Sequence, residues 1–461
     1  MDLISLRAAL FVGAAVVLVA VPWPGLGRRL LLLAANLAFL WAFDPLAPAI
    51  FLAVSLLGWF AARRAAAGAS VGELILLGAP LLLPLFLPKL PWLGGGGAAA
   101  DAEAAGASGV SNVVGARMAM FIGASYFTLR ALHVVLDARR HRRLHLGLFD
   151  FLVYNSFFPM TVAGPIERAD HFALSYERLG RATREDWAAG LTRIFQGLLK
   201  KVVLGGIALA WAAPITGFGS GPFSASSSGQ AWLALYAITL YAYFDFAGYS
   251  DMAVGLGYLF GIRIPQNFNS PYKSKNIAEF WRRWHISLSS WLRDYLFQPL
   301  GGLFGSKWQQ AWNLLVTMSL GGLWHGASWT FVIWGVYHGL LLAAYGTVGR
   351  GWDRLPVIAR QAGTFLAVLI GWVIFRATDL TMARVMLEKM FFFQPGFSVV
   401  AAAALVLVLG IAGWLAHAGP NSFELKHEWG AGATVALAAL FALSLLTVYG
   451  AQASPFLYFQ F

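Results

Sequence analysis

Apolar runs long enough to cross about 30 Å of hydrocarbon recur along the whole chain. They fall near 3–21, 29–43, 46–62, 72–92, 113–136, 202–218, 230–260, 310–346, 361–376, 398–416 and 431–452. With 230–260 and 310–346 each long enough for two pieces, the pattern predicts about eleven or twelve crossings. The first run has neither a basic start nor a small-residue cleavage site, so it reads as a retained transmembrane helix rather than a signal peptide.

Two stretches break the apolar pattern with a helical period of their own. In "ATREDWAAGLTRIFQGLLKKV", Thr183 and Asp186 form a capping pair. Trp187, Leu191, Ile194 and Leu198 then make one apolar stripe, which predicts an interfacial helix anchoring the next span. In "EFWRRWHISLSSWLRDYLF", Trp281, Trp284, Leu288, Trp291 and Tyr295 recur at helical spacing, as an aromatic face at a headgroup boundary would. Arg282, His285, Ser289 and Arg293 make a second, polar stripe. An interfacial helix needs only charge on that face, so a histidine among hydroxyls and arginines points to chemistry.

Composition agrees with the pattern. The 461 residues are 59% hydrophobic and 12% charged, against about a quarter charged in soluble domains. The net charge is +12. Its basic residues sit at Arg28–Arg29, Arg63–Arg64, Asp137–Arg143 and Lys200–Lys201, where they mark cytoplasmic connections and imply no nucleic acid. The chain has no cysteine, which excludes disulfides, thiolate metal sites and a cysteine-bound acyl intermediate. Gly94–Ser111 reads as a flexible Gly/Ala-rich loop within one integral membrane domain over 1–461.

Ionisable residues inside apolar runs are costly and mark candidate sites. His325 lies in "GGLWHGASW", and its residue type suits a general base and a structural donor equally. His338, thirteen residues on, falls on another side of a continuous helix and reads as structural. Asp245 and Asp251 do not share a helix face, which predicts separate structural partners rather than a carboxylate pair. Pro265 and Pro271 around "QNFNS" end the preceding helix and predict a re-entrant or loop passage. Searches for a P-loop, a dinucleotide fingerprint, a GxSxG elbow and HExxH or cysteine metal spacing find nothing.

The segments "YFDFAGYSDMAVGLGYLFGIRIPQNFNSPY", "IAEFWRRWHISLSSWLRDYLFQPLGG", "GGLWHGASWTFVIWGVYHG", "GWVIFRA" and "FLYFQF" together resemble the membrane-bound O-acyltransferases, dense over 241–338. The nearest resemblance is to the bacterial alginate O-acetyltransferase membrane subunits. "SYFTLR", with Arg130 where that branch has glutamine, and "FFPMTVAGPIER" look closer to the teichoic acid D-alanyltransferases. The resemblance implies an all-α polytopic bundle with interfacial and re-entrant helices around a central tunnel, in the bacterial inner membrane. Its two signature histidines map onto His285 and His325, the second being the residue the family regards as catalytic.

The activity implied by the resemblance is transfer of an acetyl group from cytoplasmic acetyl-CoA to a hydroxyl on the far side. The acceptor is a polysaccharide, or an extracytoplasmic acetyltransferase partner that modifies it. Trp281, Arg282, Ser289, Trp324, Asn267 and Asp251 are the candidate substrate-binding residues, and Arg282, Arg283 and Lys275 could meet the anionic donor. No metal or bound cofactor is expected, and lipid surrounds the protein. Two other readings stay open: D-alanyl transfer from an acyl carrier protein, and a non-catalytic transporter or polysaccharide-export subunit.

Overall fold

The computed structural model describes residues 6–43, 45–83, 123–144, 146–217, 222–326, 328–396, 403–425 and 430–450. Every regular element among them is helical. The Gly94–Ser111 loop lies outside the described residues. The chain forms two compact units: Met1–Ile194 with Ala253–Pro265, and Phe195–Met252 with Gln266–Phe461.

The first unit holds α1 (Leu6–Ala20), α2 (Gly25–Phe43), α3 (Ala47–Ala66), α4 (Val71–Gly78), α5 (Ala124–His141), α6 (Leu148–Ser156), α7 (Phe158–Thr161) and α8 (Ala169–Tyr176). Its interior mixes aromatic packing with hydrogen-bonded polar groups. Phe158 packs on Phe39 at 5.1 Å between ring centroids, and Phe157 on Phe172 at 5.7 Å. Buried Asn36 donates to Ser156 at 3.0 Å, and Asn155 donates to Ser55 at 2.9 Å. Arg130, fully buried, donates to the Asn155 carbonyl at 2.8 Å. Glu167, 2% exposed, accepts from the Arg168 backbone N–H at 2.7 Å and pairs with His171 at 3.0 Å.

The next helix departs from its expected shape. The capping pair is present, with the Thr183 and Asp186 side chains each accepting from the other's backbone N–H. However, α9 (Arg184–Leu198) does not stop at an interface. It continues through a π-helical turn, Leu199–Gly205, into α10 (Gly206–Thr216), giving one apolar stretch of 33 residues. No breaker separates the pieces, and the wide turn presents two successive lysines to α11 (Ser228–Phe260). Lys200 bonds Asp251 at 2.7 Å and Lys201 bonds Asp245. The two aspartates thus have separate partners, as their spacing implies. The lysines, in turn, are helix residues and no longer report a cytoplasmic loop.

Beyond α11, Gly261 at φ +77° ends the helix and the chain runs without regular structure through Gln266–Ser270. Next come α12 (Ile277–Arg283), α13 (Ile286–Leu292) and a π turn, Arg293–Phe297. The remaining described helices are α14 (Lys307–His325), α15 (Trp329–Trp352), α16 (Val357–Arg376), α17 (Leu380–Phe391), α18 (Ala403–His417) and α19 (Ala431–Gly450).

The 310–346 run is two helices, not one. The chain leaves α14 after His325 through an extended Gly326, and Ser328 caps α15 by accepting from the Thr330 N–H at 3.3 Å. The two helices pack backbone to backbone through glycines. Gly335 lies against the Met318 carbonyl, Gly322 against that of Phe331, and a Cβ at Gly339 would sit only 3.0 Å from Leu315 Cα. Such small-residue contacts let membrane helices approach closely.

Among the described residues, five helical stretches are long and apolar enough to cross a membrane: Gly25–Ala42, Ala47–Ala66, Arg184–Thr216, Trp329–Trp352 and Val357–Arg376. The protein is therefore an all-α, multi-pass membrane protein.

Candidate active site

The predicted single helix around His285 is broken at that residue. Trp284 is extended and His285 adopts a left-handed conformation, φ 42° and ψ 54°, between α12 and α13. Such a backbone costs a non-glycine residue about 1–2 kcal/mol and persists only where its surroundings impose it. The break also redirects the aromatic stripe. Trp284, Leu288 and Trp291 are 3%, 3% and 4% exposed, so they build the interior of the second unit rather than a headgroup face.

His285 is 1% exposed, with its ring edge-on to Phe246 at 4.7 Å. Its Nε2 is buried with no hydrogen-bond partner among the described residues. Burial pushes its pKa down to about 3, so the ring is neutral at any working pH.

His325 ends α14 in an aromatic cage. Its ring meets Trp324 at 4.9 Å, Phe375 at 5.1 Å and Trp334 at 5.4 Å, each nearly perpendicular. Trp324 also meets His285 at 6.1 Å, so one indole contacts both histidines. The fold-back at Gly326 brings in the third histidine of this region. His338, which a continuous helix would aim elsewhere, packs on Trp334 at 5.0 Å and on Trp281 at 5.2 Å. The sequence did hold a signal for it, since Trp334 and His338 are four apart and share a face of α15.

Trp281 separates this cluster from a groove of about 660 Å³. Apolar side chains line most of it, among them Ile286, Leu314, Met318 and Leu342. Arg282, Arg293 and Lys307 supply its cations, and no carboxylate lines it among the described residues. Lys307 opens α14 and His325 closes it, eighteen residues or about 27 Å of helix apart. Arg293 and Lys307 are cations that the sequence pattern did not single out as ligands.

The candidate residues thus fall into four places. Trp281, Arg282 and Ser289 line the groove, while Trp324 bridges the histidines. Asn267 is 1% exposed beneath the backbone just after His285, its side chain bonded to Ser287 and Ser250. Asp251 is set apart from the groove, held by Lys200 and by Ser422 at 2.9 Å. Of the other cations considered, Arg283 pairs with Glu279 at 2.8 Å, and neither it nor Lys275 lines the groove. Among the described residues no cluster of His, Asp and Glu could hold a metal ion.

A neutral buried histidine, a caged histidine and an apolar groove with a cationic rim, all within a helical membrane protein, have the chemistry of a candidate group-transfer site. Comparison with known proteins gives that class its name. Residues 117–383 match the membrane-bound O-acyltransferase family model, and the chain belongs to that family. It is 37% identical to a probable alginate O-acetylase, AlgI, of Azotobacter vinelandii, over 77% of this chain and 78% of that one. It is also 39% identical to a peptidoglycan O-acetyltransferase of Helicobacter pylori, over 52% of this chain and 46% of that one. With a teichoic acid D-alanyltransferase of Bacillus subtilis it shares 33% identity, over 54% of this chain and 65% of that one. The expected resemblance, including its second branch, is therefore met, and the protein is an O-acyltransferase rather than a transporter.

Proposed function

We propose that the protein moves an acetyl group from acetyl-CoA to a hydroxyl on the far side of the bacterial inner membrane. The acceptor is a cell-envelope polysaccharide or a partner acetyltransferase that passes the group on. The observation that carries this reading is the groove, which runs along α14 from Lys307 to Met318, seven residues short of His325. A ligand with a phosphorylated head and a slender arm fits that outline, with its phosphates at Arg282, Arg293 and Lys307 and its thioester toward the histidines.

Orientation comes from the same helices. Lys307, Arg350, Arg354 and Arg360 gather where α14 begins, α15 ends and α16 begins, which supports a cytoplasmic location for that end. Trp308 is 80% exposed at this end and Trp329 is 73% exposed at the other, as interfacial tryptophans are at both faces of a bilayer. His325 sits at the Trp329 end, away from the donor's entry.

In the reaction, His325 takes the proton of the acceptor hydroxyl as its oxygen attacks the thioester carbonyl. The tetrahedral intermediate then collapses, the C–S bond breaks, and the thiolate leaves with the proton that His325 returns. General base catalysis of this kind contributes roughly 10²–10⁴-fold. His285 donates from Nε2, in the tautomer that carries its hydrogen there, to the developing oxyanion.

The test is release of free CoA from labelled acetyl-CoA by the lipid-reconstituted protein with acceptor present. Release that His325→Ala abolishes supports the reading. Release that survives this substitution refutes it. The B. subtilis relative's name keeps D-alanyl transfer in view as the alternative, for which an acyl carrier protein would be the donor. Turnover of that donor alone, with salt-sensitive carrier binding, would select it.

A further inference from the structure

We propose that Asn267 is a positioning residue for His285, capping α13 in the histidine's place so that the imidazole is free to face substrate. The inference rests on the reading that His285 acts in acyl transfer. His285 occupies the N-cap position of α13, yet its side chain makes no capping bond. The orphan N–H groups of that turn are instead served by Asn267. Its backbone carbonyl accepts from the Ile286 N–H at 2.9 Å. Its side-chain Oδ1 accepts from the Ser287 N–H at 3.2 Å and from Ser287 Oγ at 2.9 Å. An N-cap asparagine makes this same bond to the second helical N–H from its own side chain. Here it comes from a residue eighteen positions earlier.

The rest of the segment completes the brace. The Asn269 N–H donates to the Arg283 carbonyl at 2.9 Å, and the Arg283 side chain donates back to the Asn269 carbonyl at 3.1 Å. Residues 267–269 therefore pin both sides of the Trp284–His285 break. Asn267 Nδ2 reaches Ser250 Oγ on α11 at 3.3 Å, tying the brace to the helix that also carries Phe246, the ring against His285. Asn267, Ser287, Ser250 and His285 are all at least 95% buried, so water competes for none of these bonds. Without the brace, the left-handed backbone at His285 loses what imposes it, and the ring swings with the backbone.

The experiment is a double-mutant cycle on the reconstituted protein, with acetyl-CoA as donor or an acyl carrier should only that be turned over. Asn267→Ala is expected to lower kcat about 10²-fold while leaving KM for the donor nearly unchanged, because a misplacement of about 1 Å costs that much. Asn267→Asp keeps the acceptor for Ser287 and is expected to recover most of the rate. In a His285→Ala background, Asn267→Ala is expected to change the rate by less than about threefold. Equal losses in both backgrounds, or a loss confined to KM, would overturn the proposal. Wild-type turnover by His285→Ala alone would instead overturn the role of His285, whatever Asn267 does. Should Asn267→Ala fail to fold, Ser287→Ala replaces it in the cycle, with a smaller loss expected beside His285 and none in its absence, and equal losses again refuting.

Discussion

Two glycine-to-alanine substitutions on α15 should move stability in opposite directions. At Gly335 a new Cβ would come within 2.9 Å of both the Met318 carbonyl carbon and Ser319 Cα, and closer still to the Met318 oxygen. Ordinary contact begins at 3.4 Å, so the α14–α15 hairpin must open by at least 3.4 − 2.9 = 0.5 Å. The atoms in the way are backbone and cannot swing aside. Overpacking of this kind costs about 1–3 kcal/mol, against which alanine's better helix propensity returns about 1 kcal/mol. At Gly346, on the same helix, nothing lies within 4 Å of the new Cβ, so only the propensity gain remains. The difference between the variants, about 1–3 kcal/mol, isolates the clash. Thermal unfolding in one detergent should rank Gly346→Ala at or above wild type and Gly335→Ala below it. Gly335 also adjoins Trp334, whose ring cages His325, so kcat should fall in Gly335→Ala as the hairpin opens. Identical melting of the two variants would refute close helix packing as what holds the hairpin.

Arg282→Glu should raise KM for the donor and flatten its salt dependence with little change in kcat, and an unchanged KM would remove Arg282 from the donor's path. Asp245→Asn, which leaves Lys201 buried without its carboxylate, should destabilise by about 3–5 kcal/mol, whereas Lys201→Met with Asp245→Leu should cost far less; equal losses in a denaturation series would contradict the buried pair. Burial raises Glu167 above its ordinary 4.5 and the Glu167 carboxylate raises His171 above 6.5, so both groups bind protons more tightly folded than unfolded. Their contribution is full at low pH and is lost as pH rises past the ordinary 4.5 and 6.5, so melting temperature should fall as pH rises and Glu167→Gln should flatten that slope.

Much of this fold was legible because membrane helices announce themselves by length and apolarity, and caps by short-range chemistry. The Thr183–Asp186 pair and the separate partners of the two aspartates come from residue type and spacing alone. What escaped was decided by contacts distant in sequence. The aromatic and polar stripes around His285 keep perfect helical spacing, and only Asn267, eighteen residues earlier, breaks the helix there. The run holding Lys200 and Lys201 looked like a connection because lysine seldom enters a membrane helix, and the carboxylates that allow it lie more than forty residues away. At the site, His285, His325, Trp281, Arg282 and Ser289 could be named in advance. His338 carried only its four-residue spacing from Trp334, and its place beside the other two histidines depends on the turn after His325.

The histidines, their cage and every residue that lines the groove lie between Phe246 and Phe375. The candidate groove and the candidate histidines therefore form one contiguous cassette, encoded in a single stretch of gene. Recombination with both breakpoints outside that stretch exchanges flanking helices without dividing the site. A lineage can in this way trade one acceptor for another while keeping its acyl-transfer chemistry, and a chimaera that grafts the cassette between relatives is the natural unit for engineering.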